Sequence, residues 1–204
     1  MRRFKHRLLS EDELHAAAAA VAVEQGLHAV SLQAVADRLQ VPLKSALALR
    51  PVEADLVSAA YTSVVAAELA EVKRLVLGRP APRGQLTALL DTLGQPSRAE
   101  VDAVWLEAWG LGRRNPALAA AVRAEEGAWH AFVGAVIRRG VRAGDFPEVD
   151  PDAVASRLLV TLTGVNAYAL VDYRSHVDRA ELLRAVARAE LGMVFDGVEA
   201  VPAC

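Results

Sequence analysis

The 204-residue chain is 53% hydrophobic but only 5% aromatic, with a net charge of −2. The apolar mass is therefore mostly Ala, Val and Leu, the composition of packed helices, and the length suffices for one or two domains with a real core. Bulk electrostatics exclude a general polyanion binder, so any contact with nucleic acid must come from a local basic patch.

Arg2, Arg3, Lys5 and Arg7 open the chain and are followed by a charged segment rather than the apolar core of a signal peptide. Ser10 before Glu11-Asp12-Glu13 is a capping box, which starts a first helix running to Glu24 and stopping at Gly26. Its apolar run Ala16–Val23 is too short to span a bilayer. Ser31 caps a second helix to about Leu39, and Pro42, suited to a first helical position, opens a third that ends near Arg50-Pro51. A long fourth helix follows from about Val52 to Leu77, up to the breaker Gly78-Arg79-Pro80-Ala81-Pro82. Further helices are expected over 84–94, 98–113, 116–143, 151–173 and 178–196, with Asp150-Pro151 as a cap and first-position proline. No window has the period-2 pattern of a strand, so the chain is all-α. The lone Cys204 forms no internal disulfide and, with the missing signal peptide, fits a cytoplasmic protein with no membrane partner.

Residues 32–50 place two short helices across a tight turn. Val35, Leu39, Val41, Ala46 and Leu49 fall where a helix-turn-helix buries apolar groups, and Ala36 is small where the helices cross. An ordinary pair of bundle helices would share much of this pattern.

The order Glu24-Gln25-Gly26, Ser31, Val35-Ala36, Leu39, Val41 and Asp55-Leu56 resembles the N-terminal domain of the tetracycline-repressor (TetR) family. Trp105-Leu106-Glu107-Ala108-Trp109, Arg114-Asn115-Pro116, Gly140, Gly144-Asp145-Phe146 and Asp150-Pro151 resemble, in order and spacing, one common ligand domain of that family. The resemblance implies a three-helix helix-turn-helix domain over 1–52, and a ligand-binding and dimerisation bundle over 53–204, joined through the long fourth helix. It implies a one-component transcriptional regulator that binds an operator in double-stranded DNA as a homodimer, represses, and is released by a small apolar effector.

The recognition helix departs from the family. Gln40 stands where relatives usually carry Gly, Leu47 where they carry Tyr, Leu49 where they carry an aromatic or His, and Glu53 where they carry a phosphate-contacting Lys. Between residues 8 and 56 there are three bases and seven acids, the wrong sign for a DNA-facing module. Positions that match contact positions in relatives are Gln33, Leu43, Lys44, Ser45 and Ala48. Lys44 suits guanine acceptors, Gln33 suits adenine, and Leu43 and Ala48 suit thymine methyls. Arg2, Arg3 and Lys5 form an arm that could lie in a minor groove. The alternative is a TetR-fold protein that has lost DNA binding and acts as a small-molecule binder or protein-interaction module.

In the second half the candidate ligand-binding residues are Trp105, Trp109, Trp129, Phe132, Asn166 and Tyr168. The tryptophans read more readily as ordinary core, and Asn166, inside an apolar run, needs a partner that a ligand, a neighbouring helix or a second copy could supply. The last two helices, with Leu158, Leu162, Val165 and Ala169 at spacings of three or four, are where the resemblance places the dimer bundle. His6, His15, His28, His130 and His176 are scattered, with no metal-ligand spacing, and no glycine-rich phosphate loop follows a strand. The expectation is a non-enzymatic protein without cofactor or metal.

Overall fold

A computed structural model describes residues 9–49, 53–173 and 178–195, with the side chains of Glu53 and Ala54 outside the description. Among these residues the chain forms nine α-helices, two short 3-10 turns and no strand. The arm residues Arg2, Arg3 and Lys5 lie outside the described residues.

The chain divides into two compact units. The first holds the described residues up to Ala70 together with Ser97–Gly127; the second holds Glu71–Pro96 and the described residues from Ala128 on. The divisions fall within the fourth helix, at a 3-10 turn and within the seventh helix, so the fourth helix belongs in part to each unit.

In the first unit, α1 (Glu11–Gln25) starts where the Ser10 hydroxyl accepts from the Glu13 N–H at 3.2 Å and the Ser10 N–H donates to Glu13 Oε2 at 3.1 Å. The reciprocal pair satisfies two backbone donors that a helix start leaves open. Gly26 ends the helix at φ 93°, and a 3-10 turn, Leu27–Ala29, leads to α2 (Leu32–Leu39), capped by Ser31. α3 (Leu43–Leu47) follows. Leu14, Ala18, Val21, Val35, Ala36 and Ala46 are buried, which gives these three helices their core. The unit continues with the first part of α4 (Glu53–Leu77), α6 (Ala99–Gly112) and the first part of α7 (Pro116–Arg142).

α3 is shorter than the pattern predicts. Pro42 stands at its N-cap rather than inside it, and the last turn tightens as the Leu49 N–H bonds the Ala46 carbonyl three residues back. The preceding turn keeps a left-handed residue although its glycine is gone: Gln40 has φ 54° and ψ 39°. The sequence reading also missed both 3-10 turns, of which the second is Pro96–Arg98.

The second unit holds α5 (Pro82–Leu93), the rest of α4 and α7, α8 (Pro151–Leu170) and α9 (Arg179–Leu191). Asp150 and Asp178 cap the last two helices through their carboxylates. Both end earlier than expected, because Asp172 turns left-handed at φ 55° after α8 and Gly192 does so at φ 59° after α9. Arg139 of α7 donates twice to Gln85 Oε1 of α5, at 2.8 and 3.2 Å, so the buried amide is satisfied. Gly140 lets the Phe146 ring approach closely, since a Cβ there would stand 2.1 Å from a ring carbon.

A left-handed non-glycine residue costs ~1 kcal/mol or more, and glycine gives part of this back in unfolded-state entropy. Gln40→Gly is therefore expected to raise the urea midpoint by a stabilisation of about 0.5–1 kcal/mol. An unchanged or lowered midpoint would show that the Gln40 side chain compensates the strain.

Candidate functional site

Two regions of the first unit combine polar groups in ways that the core does not need. The first is the outward side of α2 and α3. Gln33 is exposed, and its amide donates to Asp37 Oδ1 at 2.7 Å, one turn along the same helix. Arg38, the only base on α2, is engaged by Glu24 of α1 at 2.5 Å. Lys44, Leu47 and Ala48 share one exposed side of α3, with Leu47 51% exposed. Leu43 and Ser45 are half-buried. The outward side of α3 therefore offers one cation between apolar groups.

The second region is a polar cluster around Tyr61 of α4. Tyr61 is fully buried, and its hydroxyl has no hydrogen-bond partner among the described residues. The Trp105 ring of α6 meets it nearly at right angles, 85°, with centroids 5.6 Å apart. Glu68, two turns beyond Tyr61 on the same face of α4, accepts from the Trp105 indole N–H at 3.0 Å. Its other oxygen pairs with the Arg98 guanidinium. The two charged side chains are only 7% and 13% exposed, and Asp102, on α6 between Arg98 and Trp105, is buried as well.

The electrostatics of the cluster are unbalanced toward negative charge. Burial pushes the Glu68 carboxyl above the usual carboxylate range, against the lowering by Arg98 and by the Trp105 bond, and the Asp102 charge adds to the rise. Burial likewise pushes the Tyr61 phenol above its usual range, with Glu126, Glu125 and Glu68 adding to it. Tyr61 is a neutral hydroxyl at any physiological pH.

α6 also reaches the helix-turn-helix. Glu107 Oε2 accepts from the backbone N–H of His28 at 3.2 Å and lies 3.3 Å from its Nδ1, in the 3-10 turn between α1 and α2. One helix thus carries Asp102 and Trp105 in the Tyr61 cluster and Glu107 at the turn that leads into α2.

The six residues singled out for ligand binding are distributed differently. Trp105 enters the Tyr61 cluster, whereas Trp109, one turn on, is 47% exposed. In the second unit Trp129 and Phe132 are buried, with the Lys73 ammonium 5.7 Å from the Phe132 ring centre. Asn166 is buried and its Oδ1 accepts from Arg179 at 3.1 Å, so a helix neighbour engages the amide. Tyr168 is 53% exposed and packs edge-on against Tyr173. Sequence reasoning missed Tyr61, Glu68, Arg98 and Asp102. The available signal was spacing: Tyr61 and Glu68 are seven apart on one face of α4, and Arg98, Asp102 and Trp105 recur at four and three. Among the described residues no three His, Cys, Asp or Glu side chains are placed to hold a metal ion.

A family model described as BetI-type transcriptional repressor, C-terminal, matches residues 80–196, more than half of the chain. Solved structures share the fold. A TetR transcription regulator from Haloarcula marismortui superposes with a TM-score of 0.77 at 21% identity, over 88% of this chain and 97% of its own. A transcriptional regulator from Saccharomonospora viridis, solved with choline, gives 0.76 at 20% identity, over 88% and 96%. A TetR-family regulator from Cytophaga hutchinsonii gives 0.76 at 15% identity, over 92% and 100%. No curated protein matches the sequence.

The Glu68–Arg98 pair yields a stability prediction. Removing one partner of a buried ion pair costs about 3–5 kcal/mol because the other charge is left uncompensated. Arg98→Met is expected to lose that much at neutral pH. Glu68 has a folded pKa above its unfolded value, so it favours folding at low pH and its cost sets in as pH rises through the folded pKa. The deficit should therefore shrink on mild acidification, measured by urea unfolding at the two pH values. A deficit independent of pH would mean that Arg98 acts by packing alone.

Proposed function

The chain belongs to the TetR family of transcriptional regulators, and we propose that it works as a ligand-responsive repressor, binding operator DNA as a homodimer through α3. The observation that carries this reading is that a single compact unit holds both the reading helices and the Tyr61 cluster, with α6 tied to each. An effector that changes the position of α6 would act on the turn before α2 through Glu107 and His28. The effector remains the small apolar molecule expected from sequence, with a polar group where it meets the buried Tyr61 hydroxyl. The protein so described is a cytoplasmic regulator and not an enzyme.

The dimer is proposed to form through α8 and α9. Val160 is 70% exposed, Val171 73% and Val194 80%, with Tyr168, Leu170 and Leu182 also exposed. α8 is long and apolar enough to cross a membrane, yet only 28% of its most apolar window is buried. A second copy on this face would remove that apolar surface from water. Val160→Glu, a change at an exposed position, is expected to leave helicity intact and yield monomers in sedimentation; a persisting dimer would place the interface elsewhere.

A second reading, a TetR-fold protein without DNA binding, is favoured by Leu47 facing outward and by Arg38 being held by Glu24. Selection from a library of genomic fragments separates the two. The repressor retains one or a few fragments, and Lys44→Glu loses them. Lys44→Ala weakens binding to all sequences and lowers the slope of log affinity against log salt by about 1. Retention of no fragment by the wild type, with dimer and ligand binding intact, favours the second reading.

A further inference from the structure

We propose that the end of α6 carries a second small-molecule site, a cleft over Gly110 that binds a carboxylate with a short apolar body. The site lies beyond Trp109 on the helix, apart from the Tyr61 cluster, and does not depend on whether the chain binds DNA.

Gly110, Leu111, Arg113 and Arg114 line an open cleft of about 300 Å³, at the small end of the range for ligand sites. The glycine makes the space. Gly110 lies inside α6, and a Cβ there would meet no packing partner within 4 Å. A glycine inside a helix is destabilising relative to alanine, so it needs a reason. Gly94 has one in the fold, because a Cβ on it would stand 2.5 Å from that of Ala180. Gly110 has no such neighbour, and the room it leaves is filled by nothing in the protein.

The charge at the cleft is unanswered. Arg113 and Arg114 are both exposed, and neither guanidinium has a hydrogen bond or ion pair among the described residues. Elsewhere Arg38, Arg98, Arg138, Arg157 and Arg184 each meet a carboxylate. The negative end of α6 favours cations there, but neither side chain donates to a carbonyl. Glu107, the nearest acid along α6, already accepts from the His28 N–H. Two guanidinium forks beside one cleft fit a carboxylate, which each can hold through parallel N–H···O bonds. Leu111, 37% exposed, supplies an apolar wall. A cation would be repelled by both arginines, and a neutral molecule would leave them as they are. An inorganic anion would leave Leu111 and the glycine floor in water.

The test titrates the full chain with butyrate, hexanoate and phenylacetate. 2-Phenylethanol serves as a neutral analogue, and inorganic phosphate as an anion without an apolar body. Calorimetry is expected to show saturable binding of at least one carboxylate, with 2-phenylethanol and phosphate weaker by about tenfold or more. Gly110→Leu fills the cleft from its floor. It is expected to leave the ligand-free melting temperature unchanged or raised, since leucine is the better helix former, and to weaken the carboxylate by about tenfold or more. Arg113→Gln combined with Arg114→Gln removes the charge and should weaken it as much. The proposal is overturned if no carboxylate binds, or if phosphate or the alcohol binds as tightly. It is overturned too if either variant leaves carboxylate affinity unchanged, because the ligand then sits elsewhere. A lowered ligand-free melting temperature in Gly110→Leu would also overturn it, since the glycine would then serve the fold. Loss of genomic-fragment retention in the double arginine variant, without carboxylate binding by the wild type, overturns it in favour of a DNA-phosphate contact.

Discussion

A carboxylate inside a protein must be answered by charge or by hydrogen bonds, and in this chain Glu68 is answered by both. Arg98 supplies the charge and the Trp105 indole supplies the bond. These partners stand before and within α6, while Glu68 is on α4, so the ion pair and the indole bond fix the two helices against each other at two points. A hydrophobic contact in the same place would tolerate sliding by a few tenths of an ångström. A buried ion pair with an indole bond tolerates far less, because a displaced partner leaves charge uncompensated in a poorly polarisable interior. The upward pull on the Glu68 carboxyl shows that even this arrangement does not fully offset its burial.

The helix-turn-helix illustrates geometry kept while chemistry changes. The turn after α2 still needs a left-handed residue, and Gln40 adopts that conformation in place of glycine. The crossing of α2 and α3 still needs small groups, and Ala36 and Ala46 are both fully buried. What has changed is the outward side, where Leu47 is half in solvent and the only α2 base is bound to Glu24. Core constraints act on shape and are satisfied locally. The outward side is free of the packing constraints that fix Ala36 and Ala46.

Helix starts were the most legible feature of the sequence, because Ser10, Ser31 and Asp150 do their work within three residues of where they stand. Helix ends were less legible: α3 stops early in a tightened turn around Ala48, a residue common in mid-helix, and α8 stops before Asp172, which turns left-handed without a glycine to mark it. The site was least legible. Trp105 attracted attention as a large residue, but Glu68 reads in isolation as one more solvated position on a long helix. Only its partners, about thirty residues further along the chain, reveal it as buried. Asn166 was the reverse case, a buried amide rightly in need of a partner whose partner is Arg179 of the next helix.

Two sides of α6 make polar contacts with different parts of the unit. Trp105 and Glu107 are two residues apart, so their side chains leave the helix in widely different directions, one toward the Tyr61 cluster and one toward His28. Any rotation of α6 that improves one set of contacts must disturb the other. A ligand shifts such an equilibrium only by the difference in its affinity for the two positions of the helix. Trp105 is held by Glu68, and the His28 backbone N–H donates to Glu107, so the present position satisfies both. Arg98 and Trp105 offset the cost of burying Glu68: a fully neutral core at this position would pack as well, but would not fix α6 against α4 at two polar points.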